Sequence, residues 1–562
     1  MNNPIPRVST GLSLLLTLWQ ATPSARSDEA VYVHQGQARQ VRQSGKTWKQ
    51  GDGFIECTGT GNFLYAASAL GGGDAKIEAR LAIMVIKDTA ASFVIGRNNH
   101  FGFDGEPDAM FVEGPMFGGL HFLPLRRSDY IISGKPFNFE VNRQGQRLTF
   151  SIDGKEVYAA NVSGFGYGEF GLRPWRSTMR VYEFSASGSL RTPAVSRVSK
   201  SFTIPMIDLA NETGRQVIVD RVPGQYLGHP TTVLMADGRT MFVTYPLGHG
   251  GPAAVLKKST DGGLTWSGRL PVPDNWKTAN NCPCLHRLTG PDGIERLFVI
   301  EGNGAFRQAV SLDNGDTWTP FKPNGLHGVV APNTIVSIAG NRHLALFVRG
   351  YQDIDQPPLT IWQSISPDGG LTWEPQTKIV DVVGTEFEGA CPDEPGVIRS
   401  PDGKQICALL RENAGQFNSL MVLSDDEGKT WSKPVELPAA LTGHRHMPRY
   451  AQDGRLVVTF RDMADGSPTK GDFAAWVGRY DDIVHGREGQ YRIRLLHNRG
   501  SFGDTGYAGL ELLPDNTFVA TTYCTLNEGE KPCVVCARFK LDEIDARYQQ
   551  MRQATPRSAQ NH

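Results

Sequence analysis

Ser259-Thr-Asp261-Gly-Gly263-Leu-Thr265-Trp266 is the stretch that decides the fold, because it returns three times. The other copies are Ser311-Leu-Asp313-Asn-Gly315-Asp-Thr317-Trp318, Ser366-Pro-Asp368-Gly-Gly370-Leu-Thr372-Trp373 and Ser424-Asp-Asp426-Glu-Gly428-Lys-Thr430-Trp431. All four read S-x-D-x-G-x-T-W, at intervals of about fifty to sixty residues, close to the period of a propeller or solenoid. Each residue type suits a hairpin turn. Asp bonds the backbone two residues on, Gly accepts positive φ, and Ser and Thr hydroxyls satisfy turn amides. Trp is a large apolar anchor that pins the turn to its sheet. One S-x-D-x-G carries little weight, since turns are common. Four full octets at near-constant spacing establish a repeat, and a structural rather than catalytic one.

A looser repeat marks the openings of six blades: His229-Pro230 up to Asp237-Gly238, Cys284 to Leu288, Pro332 to Val336, Glu394-Pro395 up to Asp402-Gly403, Met447-Pro448 up to Asp453-Gly454, and Tyr507 up to Asp515-Asn516. The last two blades lack a full octet. Phe202 to Val219 and Val534 to Leu541 are expected to pair and close the ring, which leaves only short protected edges. Leu541 to Met551 reads as a helix. The octet resembles the Asp box of the sialidase family, whose members are six-bladed β-propellers with these boxes on outer hairpins, away from the active site.

Ahead of the repeats, Lys76 to Ile83, Phe137 to Val141, Leu148 to Ile152 and Met179 to Phe184 alternate with period two, and Asp153-Gly154 supplies a hairpin turn. Short alternating strands argue for a β-sandwich; the layout resembles a laminin-G or concanavalin-like jelly roll. Trp175 and Phe117 are either sugar-stacking surfaces or core. The expected chain is thus all-β: a signal peptide over 1–27, a sandwich (jelly roll) over 30–188, a polar linker, and a six-bladed propeller over 201–545.

With 562 residues, 57 Lys and Arg against 58 Asp and Glu, and a net charge of −1, the protein has no basic field for nucleic acid. The 63 Gly and 35 Pro suit a turn-rich β protein. No Walker, GxGxxG or HExxH pattern points to a nucleotide or zinc enzyme, and no cofactor or metal is expected. Arg7, the apolar run Leu12 to Trp19 and the small residues from Ala21 to Ala25 read as an export signal, which predicts a periplasmic or extracellular protein. The run is too short to cross a bilayer, and no second apolar segment is long enough to do so. Among eight cysteines, some are expected to pair in an oxidising compartment. For the close pair Cys533 and Cys536, no second CxxC or His pair completes a zinc site.

In a propeller, polar residues at the starts of innermost strands and the ends of the next strands face one mouth. Here they are His229, Glu394, His446 and Tyr507, with Tyr245, Glu301, Arg349, Arg411 and Arg461. Each has an equally good structural explanation as a blade-to-blade ion pair or rim residue. The sialidase resemblance implies a Tyr nucleophile paired with a Glu, and arginines on a substrate carboxylate. Tyr507, in Asp504-Thr-Gly-Tyr507-Ala-Gly-Leu510, resembles the nucleophile, and Glu394, in Asp393-Glu394-Pro395, its partner. Arg411 and Arg445 resemble the carboxylate-binding arginines, with Arg449 and Arg461 as rivals for the fifth blade.

The types make chemical sense. A sialoside carries a carboxylate on its anomeric carbon; a carboxylate nucleophile would meet that charge, whereas a phenol activated by Glu does not. Arg offers a planar fork for a carboxylate. Blade one departs from the family: His229-Pro230 replaces an Arg motif, and His249 stands where an acid/base Asp is expected, so His249 or His229 becomes the candidate acid/base. The function implied is an exo-acting glycoside hydrolase releasing sialic acid or another acidic sugar from glycans. The alternatives are another glycan-cleaving propeller, using a carboxylate pair from Asp393, Glu394, Glu386 and Glu388, or a non-catalytic glycan-binding protein.

Overall fold

The computed structural model of the chain describes residues 30–554 except 45–46, 60–61, 87–89, 96–98, 118, 162–167, 192–200, 351–358, 383–384, 386 and 388–389. The expected signal peptide, most of the linker, Glu386 and Glu388 lie outside the described residues.

Nearly all the regular secondary structure described is strand. The first unit is one continuous fifteen-stranded sheet around a single core. Its spine, Phe63–Ile83, pairs antiparallel with both Phe137–Gln144 and Thr178–Arg191. Alternating burial along Phe137–Gln144 and Arg147–Ile152 is the period-two pattern read from the sequence. The inward ring of Phe150 stacks at 4.6 Å on Phe101 of the strand Asn99–Asp104. Asp153 (φ +46°) and Gly154 (φ +78°) form the two-residue hairpin whose twist matches the strands it joins. Trp175 lies under the Arg173 guanidinium, and Phe117 packs on Phe150 and Tyr158, so both serve packing here.

Six antiparallel sheets follow. Their innermost strands are Thr231–Leu234, Cys284–Thr289, Ile335–Ile338, Pro392–Arg399, Gly443–Tyr450 and Ala508–Leu512. These are the blades of a six-bladed propeller, numbered one to six in chain order. Gln216–Asp220 closes the ring as the outer strand of blade six, antiparallel to Cys533–Phe539. The segment before it goes elsewhere: Met206–Asp208 lies parallel to Tyr491–Leu496 of blade five. Phe202 draws it there, its ring 4.4 Å from the guanidinium of Arg492. Arg492 in turn meets Asp462 at 2.8 Å, both side chains 0% exposed.

The four octets share one bonding scheme. The Ser hydroxyl donates to the Asp carboxylate and accepts from the Gly amide, and the Thr hydroxyl and amide both donate to Asp. In the second octet Thr317 and Ser311 hold the Asp313 carboxyl down to about 2. Two of the tryptophans do more than pin their own turn. Trp373 donates to Gln308 of blade two (3.1 Å), and Trp431 to Gln363 of blade three (2.9 Å). These two octets therefore tie blades three and four to the blades before them. Gly315 of the second octet packs closely on the blade before it: its φ is +88°, and a Cβ there would lie 2.4 Å from the Phe242 ring of blade one. Gly315→Ala is expected to lower stability by about 2–4 kcal/mol, from the left-handed backbone and the overpacking together, read as a lowered denaturant midpoint.

Cys282, Cys284, Cys391, Cys407, Cys524, Cys533 and Cys536 carry free thiols, so the pairing expected of an oxidising compartment is not present among them. Cys533 lies beside Arg221 and Cys536 beside Thr521, each apart from the other. Among the described residues no helix is long and apolar enough to cross a membrane.

Candidate active site

Three innermost strands approach the axis with a side chain held in the left-handed region: His229 (φ +49°), Glu394 (φ +41°) and Arg445 (φ +57°). At the latter two the ladder slips, between Asp393 and Gly396 and between His444 and Met447. Such bulges re-aim side chains. His229 and Glu394 are the more constrained, because Pro230 and Pro395 push the residue before them toward extended backbone. Left-handed non-glycine residues cost about 1–2 kcal/mol each, so packing elsewhere must hold all three.

All three reach one phenol. Tyr507 precedes Ala508–Leu512 and is buried. Its hydroxyl donates to Glu394 Oε1 and accepts from Arg411 Nη1 (3.2 Å), which also donates to Glu394 Oε2 (2.9 Å). The guanidiniums of Arg445 and Arg461 lie 4.8 and 5.2 Å from the phenol ring centre, and the His229 ring lies 4.3 Å away. Arg445 is 1% exposed, with Nη2 3.2 Å from Cys284 Sγ and Nη1 3.9 Å from Glu394. Arg461 donates to the Thr505 carbonyl (2.7 Å) and the Tyr523 hydroxyl (3.1 Å).

The charges follow from this packing. Burial opposes an ionised Glu394, but Arg411, Arg445 and the Tyr507 hydroxyl prevail and hold its carboxyl below the usual range. Burial and the Glu394 charge push the Tyr507 phenol well above its usual value, so it rests protonated against a carboxylate. Burial holds His229 neutral, and both its ring nitrogens lack partners among the described residues. Asp393 accepts from the Glu394 amide (2.8 Å), and burial followed by the Glu394 charge raises its carboxyl. A carboxyl raised in the folded state costs stability as pH rises above its unfolded value of about 4. Asp393→Asn is expected to lessen the loss of thermal stability between pH 5 and pH 7.5; an unchanged pH dependence would contradict this burial.

At the mouth, on the loop after Met241–Pro246, His249 is 66% exposed. Its Nδ1 lies 2.7 Å from the Tyr226 hydroxyl and 3.3 Å from Asp504 Oδ1, and its ring 4.6 Å from that of His229. Beside Arg411 and His444, a cleft of about 240 Å³ runs between blades four and five, lined by Asn413, Phe417, Thr442 and Met463 among others.

The structure thus gathers Tyr507, Glu394, Arg411, Arg445, Arg461, His229 and His249. It places others elsewhere. Arg349 meets Gln376 (3.2 Å) and the Trp362 ring, Arg449 pairs with Glu511, and His446 turns to the Leu441 carbonyl. Tyr245 bonds Asp220, and Glu301 is held by Arg307 and the Asn280 amide. Sequence reasoning missed Asp504 and Tyr226, each three residues before a residue it did select. No group of three His, Cys, Asp or Glu able to hold a metal occurs among the described residues.

No protein-family model matches the chain. A sialidase from Micromonospora viridifaciens is 26% identical over 243 residues, 41% of this chain. Over that stretch the chain is similar to a sialidase. The match spans 30% of the length of that relative. Solved structures with lower identity include a protein of unknown function from Dyadobacter fermentans (17% identical, 57% of this chain and 97% of that one, TM-score 0.46). A point mutant of the NanB sialidase from Streptococcus pneumoniae is 12% identical over 84% of this chain and 96% of its own, with TM-score 0.39. A leech intramolecular trans-sialidase complexed with 2,7-anhydro-Neu5Ac is 12% identical over 85% and 95%, with TM-score 0.40. In blade one of this chain the His229 ring packs on Tyr507, and the His249 ring packs on His229.

Proposed function

We propose that the protein is a secreted glycoside hydrolase of the sialidase type, releasing a terminal sialic acid or related acidic sugar from glycans. The observation that carries this reading is the Tyr507 hydroxyl bonded to Glu394 inside a ring of three guanidiniums. Tyr507 Oη attacks the anomeric carbon while Glu394 takes the phenolic proton. The positive field of Arg411, Arg445 and Arg461 favours a carboxylate on that carbon and stabilises phenolate character as it develops. His249 rather than His229 is the acid/base: it is exposed at the mouth, whereas His229 is buried and neutral and orients the phenol ring. The scheme uses no metal or cofactor. In this proposal 30–188 and 201–545 act as separate domains, the propeller alone holding the chemistry and its Asp boxes remaining structural.

The test is release of methylumbelliferone from its α-sialoside by purified full-length protein. Turnover supports the reading. Folded protein that releases nothing from this substrate or from a panel of other acidic glycosides overturns it.

A further inference from the structure

The acid/base histidine does not stand alone. The Tyr226 hydroxyl lies 2.7 Å from His249 Nδ1 and 2.5 Å from Asp504 Oδ1, and Nδ1 lies 3.3 Å from the same carboxylate oxygen. One arrangement of protons satisfies all three groups. Tyr226 donates to Asp504, and Nδ1–H donates to the Tyr226 oxygen with Asp504 behind it. The carboxylate is suited to this: burial opposes its charge, but bonds from His249 and Tyr226 hold Asp504 below the usual carboxylate range. The groups facing the imidazole are Tyr226, Asp504 and the neutral His229, with Arg461 one step further back through Tyr523.

We infer that Asp504 and Tyr226 are positioning residues that hold His249 in its Nδ1–H form, leaving Nε2 as the atom that delivers and recovers the proton. This rests on the reading of Tyr507 as nucleophile. As the Tyr507–carbon bond forms and the glycosidic C–O bond breaks, the His249 imidazolium gives its Nε2 proton to the departing oxygen. In the second half, neutral Nε2 takes a proton from water while the water oxygen replaces Tyr507 on carbon, and Tyr507 recovers its proton from Glu394. The sum is hydrolysis. An imidazole so oriented serves this role for the reason a carboxylate orients it in other hydrolases: the tautomer is fixed and the imidazolium is stabilised.

The test compares full-length parent, Asp504→Asn and Tyr226→Phe on two sialosides, an aryl one with an acidic phenol leaving group and a sialyl sugar with a poor one. A leaving group that departs without help hides the loss of an acid. Asp504→Asn is expected to lose about 100-fold or more in kcat/KM on the sialyl sugar, far less on the aryl sialoside, and to alter the pH profile. Tyr226→Phe, which keeps the direct His249–Asp504 contact, is expected to show the same split in weaker form. Equal losses on both substrates with an unchanged pH profile would show a merely structural role and overturn the inference while the Tyr507 reading stands. A second measurement does not need turnover. Nitrogen NMR of the His249 ring is expected to show the neutral form protonated at Nδ1 in the parent and redistributed toward Nε2 in Asp504→Asn. A parent protonated at Nε2 overturns the inference even if no sialoside is cleaved.

Discussion

Replacing Tyr507 with Phe is expected to abolish hydrolysis, lowering kcat by about 10⁴-fold or more, because in the proposed mechanism it removes the attacking oxygen itself. The rest of the site stays in place. Glu394 keeps its bond from Arg411, Arg445 keeps its position against the ring, and His229 still packs on a six-membered aromatic. Free sialic acid should therefore bind the variant about as well as it binds the parent, as calorimetry would show, and thermal unfolding should move little. Full turnover in Tyr507→Phe would remove the phenol from the mechanism. It would favour the carboxylate scheme built on Asp393 and Glu394, although Asp393 already accepts from the Glu394 amide.

A comparably large effect, on stability instead of rate, is expected from Arg492→Met. Asp462 and Arg492 are wholly buried in blade five, and Asp462 also accepts from Ser467, Thr469 and the Ala464 amide. The guanidinium is sandwiched by Phe202 and Phe460. Removing it leaves a carboxylate in the interior with no countercharge, which costs about 3–5 kcal/mol. The denaturant midpoint should fall accordingly, while turnover per folded molecule stays near the parent level, because the described side-chain contacts of Arg492 and Asp462 are with each other, the Ala464 amide, Ser467, Thr469, Phe202 and Phe460 and not with Tyr507 or Glu394. Adding Asp462→Leu to the same chain should recover part of the loss, since an apolar pair leaves no stranded charge. A midpoint unchanged in Arg492→Met would mean that water reaches this pair in solution.

What the sequence made legible was local. Each octet carries its whole bonding scheme within eight residues, and blade openings follow at a regular interval, so the propeller and its blade number could be counted. Tyr507, Glu394 and Arg411 stood in recognisable surroundings. Position at a strand end was a poorer guide: Arg349, Tyr245 and Glu301 sit at such ends, but their described contacts are with neighbours outside the Tyr507 cluster. Asp504 and Tyr226 escaped notice because their partnership exists only once blade six is brought against blade one. The parallel addition of Met206–Asp208 escaped for the same reason: three residues carry no periodicity, and what holds them is a ring packed on a distant guanidinium.

The way the ring is closed has a consequence for how the protein is made. Gln216 pairs with Ala537, and Met206 with Arg492. A chain growing from its N-terminus finishes the first sheet at Arg191 and can bury that core at once. It then carries two strands whose partners have yet to be synthesised. Until the last blade emerges, the growing propeller holds an open arc with unpaired edges at both ends, the kind of surface that recruits other chains. The propeller's vulnerable period is thus set by the time needed to make its own final strand, and a truncation that removes Cys533–Phe539 should yield aggregation in place of a five-bladed ring.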